Sequence, residues 1–149
     1  MKGLEFLRVL PILVLVLPLF SCKDKGDPVR AALFEVADAT ERTDADAVLA
    51  HISDSFTGPG GEGKEQVAAE LKRYFFAYES LGVTLSDIVL EKGRDRARAF
   101  FNAELTGNPR QIGGLDGLLP RSSKWKFEVT LVLEGKAWRI STGKWERLK

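Results

Sequence analysis

Apolar and polar residues alternate along Arg96-Ala97-Arg98-Ala99-Phe100-Phe101-Asn102-Ala103-Glu104-Leu105. Side chains point to opposite faces of a strand in turn, so the odd-numbered apolar residues share one face and most polar residues share the other. The segment Lys124-Trp125-Lys126-Phe127-Glu128-Val129-Thr130-Leu131-Val132-Leu133 repeats this alternation with larger apolar side chains. Both segments are typical of strands with one buried face. The small residues of the first segment leave room on that face for a helix or a ligand.

Two further strands are predicted on either side of this pair. Along Val83–Glu91 the apolar positions change parity, which indicates a bulge near Ser86-Asp87. In the last strand Trp138 and Trp145 fall on opposite parities, so a second bulge is expected at Thr142-Gly143. Bulges bend strands, and the sheet is therefore expected to be curved.

Helical patterns precede the strands. Asp27 and Pro28 are suited to the N-cap and the first turn of an amphipathic helix, and Asp44 opens a shorter helix that ends near Ser53-Asp54. Phe56 is expected to start a short strand. After a glycine-rich loop at 58–61, a third helix presents one apolar face as far as Tyr78 and ends by Gly82.

Helices followed by a meander predict an α+β fold, with N-terminal helices packed on a curved, mostly antiparallel sheet of four to five strands that forms a cone. The element order, the stretches Asp44–Phe56 and Gly63–Tyr78 and the closing Trp138-Arg139-Ile140 resemble the nuclear transport factor two-like superfamily. That superfamily includes ketosteroid isomerase, scytalone dehydratase and polyketide cyclase relatives, and its folds are described as cystatin-like. The resemblance covers about Val29–Leu148 and implies a cone around a pocket for a small apolar or aromatic ligand.

The first 22 residues have the layout of an export signal. Lys2 and Arg8 flank an apolar start, the run Val9–Phe20 carries no charge, and Ser21 precedes Cys22, the only cysteine. The run is shorter than the roughly 20 residues that a membrane-spanning helix needs. Its ending resembles the bacterial lipobox, which implies a signal peptide at 1–21, a lipidated cysteine and short tether at 22–28, and a domain at 29–149. The alternative is a secreted protein with a free cysteine.

A lipid on Cys22 would anchor the protein in the bacterial cell envelope, facing the periplasm. Lys23 stands where an aspartate would favour retention in the inner membrane, so the outer membrane is favoured. The 128 residues from Cys22 onward suit one domain.

The charge pattern limits the choice of partners. The chain from Cys22 has 20 basic and 20 acidic residues, so it offers no overall basic field for nucleic acid. The balance hides an asymmetry, with 14 acidic residues against 7 basic over Cys22–Glu91 and 13 basic against 6 acidic over Lys92–Lys149. This asymmetry fits two solvated faces that attract each other, or a basic sheet face for an anionic ligand.

Candidate catalytic groups are few. The superfamily's isomerases carry a general-base carboxylate just before the glycine loop, where this chain has Phe56-Thr57-Gly58-Pro59. Asp54 would lie on the same side of a strand as Phe56, and His51, the sole histidine, lies three residues before Asp54. Either residue could act as a general base. The structural alternatives are a turn residue for Asp54 and a helix C-terminal cap or packing residue for His51.

No cofactor or metal site is predicted. The chain has a single histidine, and its single cysteine is reserved for the lipid, so no metal-ligand set is apparent. The segment Gly58–Lys64 fits the spacing of a phosphate-binding loop, but Glu65 replaces the Ser or Thr that would hold magnesium.

The aromatic residues point to a ligand pocket instead, although most of them are expected to serve core packing. The pocket candidates, chosen for inner-face positions or polar tips, are Phe56, Tyr74, Tyr78, Phe101 and Trp125. A long loop at Gly107–Pro120 carries apolar side chains and is interpreted as a flap, a mobile hairpin end or a surface that docks a partner or the membrane.

The sequence therefore favours a non-enzymatic envelope domain that holds a small hydrophobic ligand or docks an envelope protein. The alternative is an isomerase-like or dehydratase-like enzyme that uses Asp54 or His51 as its base. A homodimer is compatible with either hypothesis.

Overall fold

A computed structural model describes residues 26–114 and 117–149. The helices and strands are α1 (Pro28–Glu41), α2 (Ala45–Ala50), β1 (Ile52–Thr57), α3 (Lys64–Ala77), β2 (Tyr78–Lys92), β3 (Arg96–Pro109), β4 (Ser122–Glu134) and β5 (Ala137–Leu148). The predicted signal peptide and Cys22 lie outside the described residues. Within the described ranges, no helix combines the length and apolar character needed to cross a lipid bilayer.

The five strands form one sheet in the order β1-β5-β4-β3-β2. The β2–β3, β3–β4 and β4–β5 pairs are antiparallel, and β1 joins β5 in parallel, with Ile52 opposite Ile140. Helices pack on the inner face of this curved sheet, which carries the alternating apolar residues of β3 and β4. The predicted α+β cone is confirmed.

Bulges occur at or next to both predicted positions. The β2–β3 register shifts between Ser86 and Val89, and Asp87 has a φ of 53°, which confirms the bulge predicted from parity. In the β4–β5 pair Thr130 faces Thr142 and the next residue of β4 faces Ile140, so Ser141 has no partner. The second bulge therefore lies one residue before the predicted position. The Ser141 hydroxyl donates to the carbonyl of Thr130 at 3.2 Å.

The predicted helix starts are also confirmed. The Asp27 carboxylate accepts hydrogen bonds from the backbone N–H groups of the first turn of α1, and Asp44 does the same for α2. Asp27 also pairs with Lys92 at the end of β2, while Glu41 at the other end of α1 accepts from the Val83 N–H. These contacts fix α1 antiparallel to β2 along the sheet.

Several boundaries differ from the sequence prediction. Helix α2 ends at Ala50, and β1 starts at Ile52 rather than Phe56. Helix α3 ends at Ala77, because Tyr78 already pairs with Pro109 as the first residue of β2. Since β3 continues to Pro109, the connection to β4 covers only 110–121 rather than the predicted Gly107–Pro120.

A close approach explains why a glycine lies inside β3. A Cβ atom on Gly107 would lie 2.6 Å from Cδ1 of Tyr78 and 3.0 Å from a Leu81 methyl. The tyrosine ring thus occupies the space that a side chain at 107 would need. This glycine permits packing inside a strand and does not mark a turn.

The inner face of the sheet has two halves. In the half nearest the β2–β3 turn, which we call the closed half, Ala97, Ala99 and Leu131 are fully buried in one cluster with Val29 and Leu33 of α1. In the other half, which we call the cavity half, the inner-face residues surround an open space. This half is defined by Phe101, Ala103, Leu105, Phe127 and Trp145.

Candidate functional site

A cavity of about 280 Å³ lies between the helices and the cavity half of the sheet. Its walls come from α1, α2, α3 and all five strands. The lining is aliphatic and aromatic almost throughout: Leu33, Val36, Ala37, Thr40, Val48, Ile52, Phe56, Val67, Leu71, Tyr74, Phe75, Val83, Leu85, Phe101, Ala103, Leu105, Phe127, Val129, Ile140, Gly143 and Trp145. A pocket of this size and polarity suits a small apolar molecule.

Few polar side-chain groups reach the cavity. The Thr40 hydroxyl is occupied, because it donates to the carbonyl of Val36 at 2.8 Å. Among the described lining residues Tyr74 is the one titratable group. Burial, and then the neighbouring Tyr78 hydroxyl, raise the pKa of Tyr74 to about 12. Tyr74 is therefore a neutral phenol at physiological pH.

The structure separates the five predicted pocket residues into two groups. Phe56, Tyr74 and Phe101 line the cavity. Tyr78 is buried beside it, with its ring centroid 4.9 Å from that of Tyr74 and its hydroxyl donating to the Pro120 carbonyl at 2.8 Å. Trp125 is not a lining residue either. It pairs with Ala103 across the sheet, and its indole N–H donates to the Ser123 hydroxyl at 2.9 Å.

An aromatic row on the sheet extends the pocket beyond the five predicted residues. Phe101 stacks on Phe127 with centroids 5.2 Å apart, and Phe127 meets Trp145 at 6.5 Å. Register places these residues side by side, since Phe127 faces Phe101 on β3 and Trp145 on β5. The inner-face parity of Phe127 was visible in the sequence. Trp145 joins the row because the Ser141 bulge shifts the parity of β5.

Neither catalytic candidate lines the cavity. His51 is the C-terminal cap of α2, as its structural alternative proposed, and its Nε2 lies 3.3 Å from Oε2 of Glu35. The Asp54 side chain is 89% exposed and accepts from Lys64 Nζ at 2.8 Å. That lysine bond holds the pKa of Asp54 below its ordinary value. Asp54 shares the strand parity of Phe56 but does not share its burial.

The glycine-rich loop holds a carboxylate of its own. The Gly60 N–H donates to Oε2 of Glu62 at 2.8 Å, and a Cβ on Gly58 or Gly60 would meet that carboxylate at 2.5 Å. The Gly60 amide is thus paired with Glu62. Among residues 26–114 and 117–149, no cluster of three or more potential metal ligands occurs.

A second hollow, of about 530 Å³, lies outside the fold beside the 110–121 connection. It is a shallow surface depression between Phe76, Arg110 and Arg121. Leu118 on this connection is 79% exposed, so the apolar loop surface predicted from sequence is present in part. We take the apolar cavity as the candidate site, because its lining is almost wholly apolar whereas the depression is lined by several charged and polar side chains.

No protein-family model and no curated protein matches this chain. Solved structures do match it. A candidate scytalone dehydratase from Novosphingobium aromaticivorans superposes with a TM-score of 0.70 at 9% identity, covering 82% of this chain and 83% of that one. A nuclear transport factor two-like superfamily protein from Salmonella enterica gives 0.67 at 14% identity, covering 81% and 89%. Bd1075 from Bdellovibrio bacteriovorus gives 0.67 at 13% identity and covers 80% of this chain, which spans only 40% of Bd1075.

These similarities concern the fold. The chain has the cone fold of the nuclear transport factor two-like superfamily, as the sequence resemblance implied. At 9–14% identity the shared fold does not carry over any activity.

Proposed function

We propose that this chain is a lipid-anchored domain of the bacterial cell envelope that binds a small apolar ligand in the cavity. The observation that carries the ligand proposal is the almost wholly apolar lining of a cavity of about 280 Å³. An apolar cavity of about 150 Å³ holds one benzene ring, so this cavity suits a ligand of about ten to twelve non-hydrogen atoms. Such a molecule gains affinity from leaving water and from contact with the aromatic row.

Native mass spectrometry tests the ligand proposal. The full chain, taken from membranes of its host into lipid nanodiscs, is expected to carry an added mass below about 250 Da, in line with the atom count above. Ala103→Leu fills part of the cavity and should remove that mass. Thr84→Leu enlarges an exposed position on β2 and should keep it. A bare wild-type protein, or the same added mass on Ala103→Leu, contradicts the proposal.

The anchoring proposal is supported by the layout of residues 1–22 and by the short distance between Cys22 and the start of the domain. Asp27, the N-cap of α1, lies five residues after Cys22. At about 3.5 Å per extended residue the domain would stay within about 18 Å of a lipidated cysteine. Cys22→Ala should move the protein from the membrane fraction to the soluble fraction. Continued sedimentation of this variant with membranes would disprove the anchor.

An isomerase-like or dehydratase-like enzyme is the alternative, favoured by the structural similarity to a candidate dehydratase. It would need a base that reaches the ligand, and Asp54 and His51 both lie outside the cavity lining. The two functions differ in one result. Conversion of the captured ligand by wild type, lost in Asp54→Asn with capture unchanged, would establish the enzyme. Unchanged ligand after long incubation supports the binding domain.

A further inference from the structure

Arg147 lies on the inner face of the sheet, next to residues that line the cavity. Arg147 of β5 faces Trp125 of β4, two residues beyond the Phe127–Trp145 pair that lines the cavity. Paired residues of antiparallel strands project to the same face, and the pattern repeats every second residue. Arg147 therefore projects to the same side of the sheet as Trp145, one step toward the ends of the strands.

The tyrosine pair lies close to the same edge. Burial raises the pKa of Tyr78, while a hydrogen bond from the Tyr74 hydroxyl and then the positive charge of Arg147 partly oppose that rise. The proton of that hydroxyl is already donated to the Pro120 carbonyl. Arg147 is thus the charged donor at this edge, beside hydroxyls that stay neutral.

Arg147 is also unpaired within the described part of the chain. Its side chain is exposed and has no carboxylate within ion-pair distance among residues 26–114 and 117–149. The contrast is Arg98, on the outer face of β3, which binds both Glu91 and Glu128. An arginine with free donors at the rim of an apolar cavity suits a molecule that has one anionic end.

We infer that the ligand is an apolar molecule with a terminal carboxylate, whose body fills the cavity and whose carboxylate binds Arg147. This inference rests on the proposed function and narrows the ligand class. The carboxylate stays at the solvent-exposed edge, so its charge is not buried without a partner. Arg147 then selects acids over neutral molecules of the same shape.

A matched pair of probes tests the inference. We use 4-phenylbutanoate and 4-phenylbutan-1-ol, which share the phenylalkyl body and differ in the charged end. Isothermal titration uses the full chain in nanodiscs of neutral lipid, with empty nanodiscs as the blank. Because a hydrogen bond to a charged group is a strong one, wild type should bind the acid about tenfold tighter than the alcohol.

Two variants test whether Arg147 causes the preference for the acid over the alcohol. Arg147→Met keeps the length of the side chain and should bring the acid down to the affinity of the alcohol, with alcohol binding unchanged. Arg94→Met removes an exposed arginine near the opposite end of the sheet and should keep the full preference. Equal binding of the two probes by wild type, or an acid preference that survives in Arg147→Met, overturns the inference. Failure of both probes to bind counts against the proposed ligand function itself.

Discussion

The closed half and the cavity half of the sheet share the same strands and the same inner face, yet one is filled and the other is open. Ala97, Ala99 and Leu131 are fully buried in one cluster with residues of α1, so the closed half excludes solvent. Four residues further along β3 the face carries Phe101 and Ala103, which belong to the same buried cluster but also line the cavity. The difference teaches that side-chain size along one strand divides packing from binding in this fold.

The largest loss of stability is expected from a substitution in the closed half. Leu131→Ala removes a fully buried side chain and should lower the free energy of unfolding by about 3 kcal/mol. Leu105→Ala removes the same atoms from the cavity wall, where fewer atoms touch them, and should cost less than about 1 kcal/mol. Urea unfolding of both variants measures the difference. Equal losses would mean that the two halves are packed alike.

Enlarging two alanines of β3 tests the same comparison by adding volume instead of removing it. Ala99→Leu adds atoms under α1 where no space exists and should cost about 2 kcal/mol. Ala103→Leu places the same atoms into the cavity and should leave the free energy of unfolding within about 0.5 kcal/mol. The same unfolding assay applies. A comparable loss in Ala103→Leu would show that the cavity cannot accept added volume.

A smaller effect is expected at the start of α1, where the closed half begins. Burial raises the pKa of Asp27, but bonds from Lys92 and from the N–H groups of Arg30 and Val29 outweigh it and lower the pKa overall. Asp27→Ala should cost about 1 kcal/mol at pH 7 through loss of the cap.

Because the folded pKa of Asp27 is lowered, this stabilisation should be complete above the ordinary pKa near 4 and fade as the pH falls through the folded value. The free energy of unfolding, measured from pH 7 to pH 2, should show this loss of stabilisation. Lys92→Met keeps the helix cap and should lose less free energy of unfolding than Asp27→Ala. A larger loss of unfolding free energy in Lys92→Met than in Asp27→Ala would show that the Asp27–Lys92 ion pair, and not the cap, provides the stabilisation.

The smallest effect concerns the tyrosine of the cavity half at high pH. Tyr74 has a raised pKa of about 12, above the ordinary value of about 10. Its contribution to stability is therefore full below pH 10 and is lost as the pH rises toward 12, because the unfolded chain ionises first. Tyr74→Phe should show a shallower fall of unfolding free energy from pH 9 to pH 11.5 than wild type. Parallel curves would place Tyr74 in contact with water.

The fold was largely predictable because its pattern is local. Alternation along 96–105 and 124–133 identifies the inner face, and a parity change alone located the bulge at Ser86–Val89. The helix end was not predictable in the same way. Tyr78 continues the four-residue spacing from Tyr74, and only pairing with Pro109, thirty-one positions away, draws it into β2. Distant partners leave no local signal.

The candidate site was predictable only in part for a similar reason. Phe56 and Phe101 follow from their inner-face positions and Tyr74 from its place on the apolar face of a helix, and each lines the cavity. Trp125 has the correct parity but lies just beyond the lining, because parity gives the face of a strand and not the position along it. Arg147 shares the parity of Trp145 beyond the predicted bulge, but parity alone does not indicate that it lies beside the cavity.

The long outer strand β2 also bears on how two copies of this protein could meet. A free strand at the margin of a sheet invites pairing with a neighbour. Here the bulge around Asp87 interrupts the repeat, and Glu41 already occupies the N–H of Val83. A second copy that tried to extend the sheet along β2 would have to break that bond and match an irregular edge. These two features are therefore expected to disfavour extension of the sheet along β2.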